Sequence, residues 1–321
     1  MRAIQVNRHG GPEVLEHQEL ADPAPRSGEV LVRTDAIGVN FIDVYFRTGT
    51  YPTELPYIPG SEATGTIIEV ADGVQGLAIG DRVAWAAAPG SYAELVRVPA
   101  SAAVAVPDAV EPAVAASILL QGMTAHYLIN SVHPVEAGET LLVHAGAGGV
   151  GLLLTQLATA RGATVITTVS TDDKEQLSRG AGAAHVLRYG PDLAQRVRDL
   201  TDGRGVDAVF DGVGRDTFDA SLASVRIRGT VALFGAASGP VPPFDPQRLN
   251  QAGSVFLARP SLGHFLRTRE ELEWRAGEIL GAIADGTLAP RVGATYPLAE
   301  AARAHEDLEG RRTTGSIVLL P

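Results

Sequence analysis

The sequence predicts an α/β protein in which a doubly wound parallel sheet follows a β-rich N-terminal part. In roughly the first hundred residues, short strand patterns are separated by turns rich in glycine and proline. From residue 111 onwards, strands alternate with helices of about ten residues, which is the pattern of parallel βαβ units. The length of 321 residues suits two domains of ordinary size.

The hydrophobic pattern and the turn residues divide each part into elements. The N-terminal part has predicted strands at residues 4–6, 29–36, 64–70, 82–85 and 93–98. The alternating part has predicted strands at residues 140–144, 164–169, 185–187, 206–211, 229–234 and 255–257, with helices at residues 149–161, 173–181, 193–201 and 217–225. Helices at residues 113–131, 268–285 and 298–309 and a strand at residues 316–320 complete the prediction.

Composition excludes several classes of function. The chain contains no cysteine, which excludes disulfides, thiolate nucleophiles and cysteine-containing metal sites. Its 26 basic and 37 acidic residues give a net charge of −11, so we expect no nucleic-acid partner. The uncharged segments 112–135 and 140–160 are interrupted by polar residues or glycines, and the N-terminus lacks the apolar stretch of a signal peptide. We therefore expect a cytoplasmic protein that does not bind a membrane.

A glycine-rich segment joins the strand predicted at residues 140–144 to the helix that follows. Ala145, Gly148 and Gly151 keep the spacing of the dinucleotide fingerprint, with alanine at the first position. Small residues at these positions allow a tight turn, a close approach of the backbone to a pyrophosphate, and close packing of helix on strand. The helix N-terminus also stabilises phosphate charge. The segment therefore predicts a dinucleotide-binding Rossmann domain.

The end of the second strand of this domain indicates which dinucleotide binds. An NAD site places an acidic side chain there to hold the ribose 2′-hydroxyl, but residues 167–171 contain none. Lys174 is the single lysine among 26 basic residues, and an ammonium at this place suits a 2′-phosphate. The alternative is that Lys174 is a solvated residue of a helix first turn beside Asp172 and Asp173, which would weaken phosphate binding if they pointed inward. We favour NADPH over NADH.

Several motifs in a fixed order extend over nearly the whole chain. They are HGGPEVL (9–15), GVNFIDVYFRTGTY (38–51), PGSEATG (59–65), GDRV (80–83), HAGAGGVG (144–151), DGVGRDT (211–217), RPSL (259–262), REEL (269–272) and AHEDLEGRRTTGSIVLLP (304–321). In these motifs the sequence resembles the quinone oxidoreductases of the zeta-crystallin-like branch of the medium-chain dehydrogenase/reductases. The resemblance implies NADPH-dependent reduction of quinones by a homodimer whose subunits pair through residues 255–257, from Val255 to Leu257.

The resemblance also implies a domain organisation and a set of cofactor contacts. It implies a β-rich GroES-like catalytic domain formed by residues 1–122 and 259–321, with an NADP-binding Rossmann domain inserted at residues 123–258. The implied contacts are Asn40, Phe41, Tyr45 and Thr124 near the nicotinamide, Gly148, Gly149 and Val150 at the pyrophosphate, Ser170, Lys174 and Tyr189 at the adenosine 2′-phosphate, Arg311 at the far-side phosphate, and Phe234, Gly235, Ala236, Phe256, Leu257 and Ala258 beneath the nicotinamide ribose.

We further expect an active site without zinc. Zinc-dependent relatives have a cysteine and a Gly-His-Glu where this chain has Asn40 and Ser61-Glu62, and its eight histidines show no ligand-like spacing. Without a Lewis acid, the favoured acceptors are quinones or conjugated enones, which delocalise the incoming charge. The catalytic donor to the oxyanion would be the Asn40 amide or the hydroxyl of Tyr45 or Tyr51, although either tyrosine could equally bond to backbone.

Two other functions stay open at this stage. An enone or enoyl-thioester reductase of the same superfamily would share these motifs, and Arg47 could then belong to a basic entrance for an acyl carrier. A non-catalytic nucleotide-binding protein is less favoured, because the segment 40–45 has no obvious use without redox chemistry. The sequence is compatible with hydride transfer and with single-electron transfer.

Overall fold

The structure is a computed structural model that describes all 321 residues and contains fifteen strands and nine α-helices. Most strands belong to two large sheets, and β1 and β2 form a separate antiparallel pair. The strands are β1 (Arg2–Gln5), β2 (Glu16–Glu19), β3 (Glu29–Val39), β4 (Glu62–Val70), β5 (Arg82–Trp85), β6 (Leu95–Pro99), β7 (Val104–Ala105), β8 (Thr140–Val143), β9 (Thr164–Val169), β10 (His185–Arg188), β11 (Val206–Asp211), β12 (Val225–Leu233), β13 (Phe256–Ala258), β14 (Val292–Pro297) and β15 (Ser316–Leu320).

The helices connect and flank these strands. Two of them begin after threonines, Thr171 and Thr268, whose hydroxyls accept hydrogen bonds from backbone N–H groups of the first turn. The helices are α1 (Phe41–Arg47), α2 (Pro112–Tyr127), α3 (Gly149–Ala160), α4 (Asp172–Gly180), α5 (Leu193–Asp199), α6 (Phe218–Ser224), α7 (Gln247–Gln251), α8 (Arg269–Ala284) and α9 (Ala301–Glu309).

The chain divides into two compact units. The first unit consists of residues 1–123, 266–286 and 290–321, and the second consists of residues 124–265 and 287–289. The assignment of a catalytic domain to residues 1–122 and 259–321, and of a cofactor domain to residues 123–258, stays a prediction.

The second unit is built on a six-stranded parallel sheet with the order β10-β9-β8-β11-β12-β13. Numbered within the unit, this order is 3-2-1-4-5-6, which is the order of a Rossmann fold. Its core joins Leu142, Ile166 and Val209 of the sheet to Phe218 of α6. The order in which strands are added reverses at this point, because β9 and β10 lie on one side of β8 and β11 to β13 lie on the other. The carboxyl ends of β8 and β11 therefore form the edge at which such sheets bind ligands.

The first unit is built on a seven-stranded sheet with the order β14-β15-β3-β4-β5-β7, and β6 also pairs with β3. All its pairs are antiparallel except β14 with β15. The core of this unit includes the fully buried side chains of Trp85 and Tyr92 together with Ile37 and Ile67. The α/β fold class that the sequence predicts is therefore confirmed, with a parallel doubly wound sheet in one unit and a β-rich sheet in the other.

Element bounds agree best where hydrophobic residues are continuous. The bounds of β5, β9, β11 and β15 are those predicted. The prediction missed α1, β2, β7, α7 and β14, which are short or lie in segments with weak apolar patterns. It also placed the start of β12 at residue 229, whereas the strand begins at Val225 and includes Arg228 in the left-handed region at φ 56°.

One helical segment has the length and composition of a membrane span. It runs over Pro112–Val132, which is α2 with its continuation, and 78% of its most apolar window is buried inside the protein. Such burial is typical of a core helix.

Candidate functional site

Helix α1 carries the predicted site residues of the first unit. Asn40 precedes the helix, and its backbone N–H donates to Asp43 Oδ2 at 2.9 Å. The Asp43 backbone N–H donates in turn to the Asn40 carbonyl oxygen at 3.0 Å. These bonds satisfy N–H groups that the start of a helix leaves without partners, which explains why a segment of seven residues forms a helix here.

Four half-buried aromatic side chains cluster on and after α1. The ring of Tyr45 lies 6.3 Å from that of Phe41 and 5.2 Å from that of Tyr51, and Phe46 lies 5.7 Å from Tyr51. The backbone N–H of Tyr51 donates to the Tyr45 carbonyl oxygen at 3.0 Å, which folds the segment back onto the helix. The structure therefore brings the two candidate tyrosines together. Which of their hydroxyls acts as a donor stays a prediction.

Asn40 belongs to a buried chain of polar side chains. Its Nδ2 donates to Glu62 Oε2 at 2.8 Å, and its Oδ1 accepts a bond of 3.0 Å from Gln121 Nε2. Ser316 Oγ donates to Gln121 Oε1 at 2.8 Å, and the backbone N–H of Leu120 donates to Glu62 Oε1 at 2.7 Å. Both polar atoms of the Asn40 side chain thus have partners within the first unit, and one of the two N–H groups of Nδ2 is used. The role of Asn40 as a catalytic donor stays a prediction.

Glu62 is the ionisable residue among these side chains. Complete burial raises the pKa of its carboxyl to about 8, against the opposing effect of the hydrogen bonds from Leu120 and Asn40. Gly38 lies opposite Glu62 in the sheet, and a Cβ there would come within 2.7 Å of Glu62 Oε2 and 2.3 Å of the Ala116 carbonyl oxygen. The absence of a side chain at Gly38 is what allows the carboxyl to lie against the backbone.

A second buried chain links Asp43 to α9. Tyr92 Oη donates to Asp43 Oδ2 at 3.1 Å and lies 3.0 Å from His305 Nε2, while Arg47 Nη1 lies 2.9 Å from His305 Nδ1. A guanidinium only donates, so Nδ1 accepts and the proton of His305 is on Nε2. Arg47 Nη2 also forms an ion pair of 2.7 Å with Glu309. Burial and the Arg47 charge lower the pKa of His305 to about 3, and burial raises the pKa of Asp43 to about 7.

The place of Arg47 in this chain corrects one expectation. Its side chain is completely buried, and its Nε donates to the Gly10 carbonyl oxygen at 3.2 Å in addition to the contacts above. An entrance residue for an acyl carrier must be reachable from solvent. The suggestion that Arg47 contributes to a basic entrance is therefore wrong.

Potential metal ligands do not cluster in this structure. It brings no three histidine, aspartate or glutamate side chains together in a group that could hold a metal ion. At the positions that match the zinc ligands of related enzymes, Asn40 and Glu62 are joined directly by a hydrogen bond.

The fingerprint turn of the second unit has the geometry that a dinucleotide requires. Ala145 takes the left-handed conformation, with φ 54°, at the position where the motif usually has its first glycine. Gly148 caps α3, which begins at Gly149. A Cβ on Gly151 would come within 2.3 Å of the Ala145 carbonyl oxygen, whereas one on Gly148 would have its nearest neighbour at 3.3 Å. Gly151 therefore closes the turn against the helix, and Gly148 leaves space in front of it.

Buried hydrogen bonds hold the carboxyl ends of β8, β9 and β11 together. Ser221 Oγ donates to Asp211 Oδ2 at 2.7 Å, so the contact of 3.0 Å between Ser221 Oγ and His144 Nε2 requires a proton on Nε2. His144 Nδ1 then accepts from Thr168 Oγ1 at 2.9 Å. Burial lowers the pKa of His144, which keeps the ring neutral. His144 therefore supports the fingerprint turn that follows it.

Four polar or aromatic residues meet where β9 and β10 end. Ser170 follows β9 and is exposed, and Lys174 lies in the first turn of α4. Arg188 is the last residue of β10 and pairs in register with Val169. Tyr189 follows it, stacks on His144 with 6.2 Å between ring centres, and accepts a bond of 3.0 Å from the Ala145 backbone N–H. Three of the predicted adenosine-side contacts, Ser170, Lys174 and Tyr189, thus belong to neighbouring strand ends.

The remaining predicted cofactor contacts lie at several places in the two units. Thr124 is buried on α2, and Arg311 is exposed after α9 with φ 56°. Phe234 to Ala236 directly follow β12, and β13 consists of Phe256 to Ala258. The contacts of these residues with a cofactor stay predictions, and so do the contacts of Val150 and the other fingerprint residues.

The structure adds site residues that the sequence did not indicate. Gln121, Tyr92 and His305 contact the α1 region from distant parts of the chain, and no local pattern marks them. Arg188 is adjacent to the predicted contact Tyr189, and a basic residue at the end of the third Rossmann strand was a signal that could have identified it.

Comparison with known proteins agrees with this geometry. Residues 26–108 match the family model of the alcohol dehydrogenase GroES-like domain, and residues 149–277 match that of the zinc-binding dehydrogenases. A quinone oxidoreductase of Pseudomonas aeruginosa is 44% identical, with 100% of this chain and 99% of that protein covered.

Two solved structures are similar over their full length. A mycobacterial protein complexed with NADPH is 59% identical with a TM-score of 0.98, and all of both chains is covered. The quinone oxidoreductase of Escherichia coli complexed with NADPH is 41% identical with a TM-score of 0.98, again with all of both chains covered. With these relatives and this sheet order, the chain belongs to the quinone oxidoreductase family of the medium-chain dehydrogenase/reductases.

Proposed function

We propose that this protein is an NADPH-dependent quinone reductase. The observation that carries the proposal is the fingerprint turn, with left-handed Ala145 and closely packed Gly151, at the carboxyl edge of a 3-2-1-4-5-6 sheet. Relatives of the same length that are named quinone oxidoreductases, one of them complexed with NADPH, support both the cofactor and the acceptor.

The residues of the second unit fit NADPH. Gly148, Gly149 and Val150 begin α3, where backbone N–H groups and the positive end of the helix can hold the pyrophosphate. Ser170 and Lys174 supply a hydroxyl and an ammonium for a 2′-phosphate, since the end of β9 has no acidic residue in the position that holds a ribose hydroxyl. When bound, the nicotinamide supplies a hydride equivalent.

The residues of the first unit suit a planar acceptor. Quinone reduction to a hydroquinone consumes a hydride and a proton, or two electrons and two protons. The aromatic cluster of α1 offers flat, partly exposed rings against which a quinone can pack. Tyr45 and Tyr51 place hydroxyls in the same cluster, so either can donate to the oxygen on which negative charge develops. Asn40, with both side-chain polar atoms bonded, holds the start of α1 in place.

The test is a comparison of acceptors. In three separate assays, purified protein and NADPH are mixed with p-benzoquinone, with a conjugated enone or with crotonyl-CoA, and the nicotinamide absorbance is followed. We expect oxidation with the quinone at a kcat/KM well above that with the other two acceptors. Preference for the enone or the thioester would favour the related reductase activity. Tight NADPH binding without oxidation by any acceptor would indicate a non-catalytic protein.

We also propose that the enzyme is a cytoplasmic homodimer without a nucleic-acid or membrane partner. β13 is an edge strand of the parallel sheet. Two large apolar side chains are exposed at or beside this edge: Phe256 on β13 is 64% exposed and Ile227 on β12 is 70% exposed. A two-fold axis would let two such edges pair. Val255 is buried in the core of its own unit, so the pairing segment would begin at Phe256. Sedimentation of wild type and Phe256→Arg tests this, since we expect a dimer and a monomer respectively.

A further inference from the structure

The end of β10 carries a cation that joins two carboxylates of α4. Arg188 Nη2 lies 2.6 Å from Asp172 Oδ1 and 2.8 Å from Glu175 Oε2. Asp172 itself is almost fully exposed, with 98% of its side chain accessible, so nothing but this contact directs it. The same guanidinium therefore holds two of the three acidic side chains in the first turn of α4, one before and one after Lys174.

The register of the sheet places this cluster at the predicted 2′-phosphate contacts. Arg188 pairs directly with Val169, and Ser170 is the next residue after it. Neighbouring strands lie about 4.8 Å apart, so the Arg188 backbone borders the position from which Ser170 emerges. Tyr189, another predicted contact, follows Arg188 in the chain.

Arg188 has a feature that its ion pairs do not explain. Its Nη1 is buried and has no hydrogen-bond partner. A buried donor without a partner costs free energy. If Arg188 served only to hold α4 through its ion pairs, we would expect Nη1 to have a hydrogen-bond partner within the protein. This favours a function for the guanidinium toward a group that the protein itself does not supply.

Helix α4 has one more acidic than basic residue, and Arg188 brings this balance to zero. Asp172, Asp173 and Glu175 carry three negative charges, and Lys174, Arg179 and Arg188 carry three positive charges. Arg179 forms its ion pair with Glu175 from the other end of α4. Without Arg188 the cluster would carry a net negative charge and would repel a phosphate dianion.

We propose that Arg188 is a specificity-determining residue for the 2′-phosphate of NADPH, because it neutralises Asp172 and Glu175 on either side of Lys174. The proposal rests on the proposed use of NADPH and extends it to a residue outside the fingerprint. It also explains how a helix that begins with two aspartates is compatible with phosphate binding: the carboxylate of Asp172 is turned toward β10 and paired there.

Equilibrium binding tests the proposal without turnover. The dissociation constants of NADP⁺ and NAD⁺, which differ only in the 2′-phosphate, are measured by isothermal titration calorimetry for wild type, Arg188→Met and Arg179→Met. We expect Arg188→Met to bind NADP⁺ about tenfold more weakly and NAD⁺ within about twofold of wild type. Arg179→Met removes the same charge from the same cluster, but it leaves Asp172 paired, so we expect a change below about threefold.

A triple variant tests the physical cause. Adding Asp172→Asn and Glu175→Gln to Arg188→Met removes the charges that Arg188 neutralises, so NADP⁺ affinity should return to within about threefold of wild type. Failure of this rescue, or equal effects of Arg188→Met and Arg179→Met, would overturn the proposal. Wild-type protein that binds NADP⁺ no better than NAD⁺ would overturn the proposed cofactor as well. A wild-type preference that Arg188→Met leaves unchanged would overturn only the role of Arg188.

Discussion

Replacing Glu62 by glutamine tests the buried polar chain that supports α1. Glutamine keeps the shape of the side chain, but it cannot ionise and it always carries an NH₂ group, whereas the ionised carboxylate only accepts. The hydrogen bonds among these side chains can be kept if the amides of Asn40 and Gln121 both rotate by half a turn. The new glutamine amide would then donate to Asn40, Asn40 to Gln121, and Gln121 to the hydroxyl of Ser316. We therefore expect the variant to fold.

The magnitude follows from proton linkage. The pKa of Glu62 is raised from 4.5 to about 8 in the folded protein, so between these values the folded state binds more protons than the unfolded state. Its contribution to the free energy of unfolding is therefore complete at pH values below 4.5 and is lost as the pH rises through about 8. Between pH 6 and pH 9 the free energy of unfolding of wild type should fall by about 2–3 kcal/mol because of this group. The Glu62→Gln variant should lose none of it.

Tryptophan fluorescence provides the assay, because Trp85 and Trp274 both belong to the first unit and are the only tryptophans. Urea unfolding at pH 6 and pH 9 gives the free energy at each pH by linear extrapolation. The exposed Glu69 lies on the same strand, so Glu69→Gln is the matched control and should follow wild type. A stability difference between wild type and Glu62→Gln that is the same at both pH values would refute the reasoning.

The other predictions concern stability and metal removal. Gly151→Ala should lower the free energy of unfolding by about 2 kcal/mol because its Cβ would overlap a backbone oxygen, whereas Gly148→Ala should weaken NADPH binding with little loss of stability, both measured by circular dichroism and titration. Arg47→Met should lower the free energy of unfolding by about 1–3 kcal/mol by leaving His305 Nδ1 and the Gly10 carbonyl oxygen without a donor, while the exposed Arg303→Met should cost less than about 1 kcal/mol, measured by urea unfolding. Quinone reduction should survive exhaustive chelation, and its loss would point to a metal.

The sequence predicted the second unit more completely than the first. β9 and β11 are rich in β-branched and apolar residues, and the small residues at 145, 148 and 151 lie between a predicted strand and a predicted helix, so local patterns are sufficient. The unexpected feature is the conformation of Ala145, where a side chain tolerates the left-handed region that glycine usually occupies.

The support of α1 could not be predicted in the same way. The helix has seven residues, and its one local signal is the Asn-x-x-Asp spacing of Asn40 and Asp43. The side chains that complete it come from far along the chain: Gln121 is 81 residues from Asn40, and His305 is 258 residues from Arg47. Such pairs depend on the tertiary fold, and a single sequence contains no periodicity that marks them.

The same limit applied to Arg47 and Arg188. Arg47 is completely buried in an ion-paired network, whereas Arg188 bridges two carboxylates at a strand end. Residue type alone does not distinguish these environments, because an arginine can serve as a structural cation or as a ligand contact.

The most direct measurement of the proposed function is a single turnover. The enzyme is mixed with one equivalent of NADPH, and a p-quinone is added while the absorbances of the nicotinamide and the quinone are followed together. We expect both to decay at the same rate, with one quinone consumed for each NADPH at completion, and we expect NADH to react far more slowly. A nicotinamide absorbance that stays constant after the quinone is added, or decay at the same rate with NADH, would contradict the proposed function.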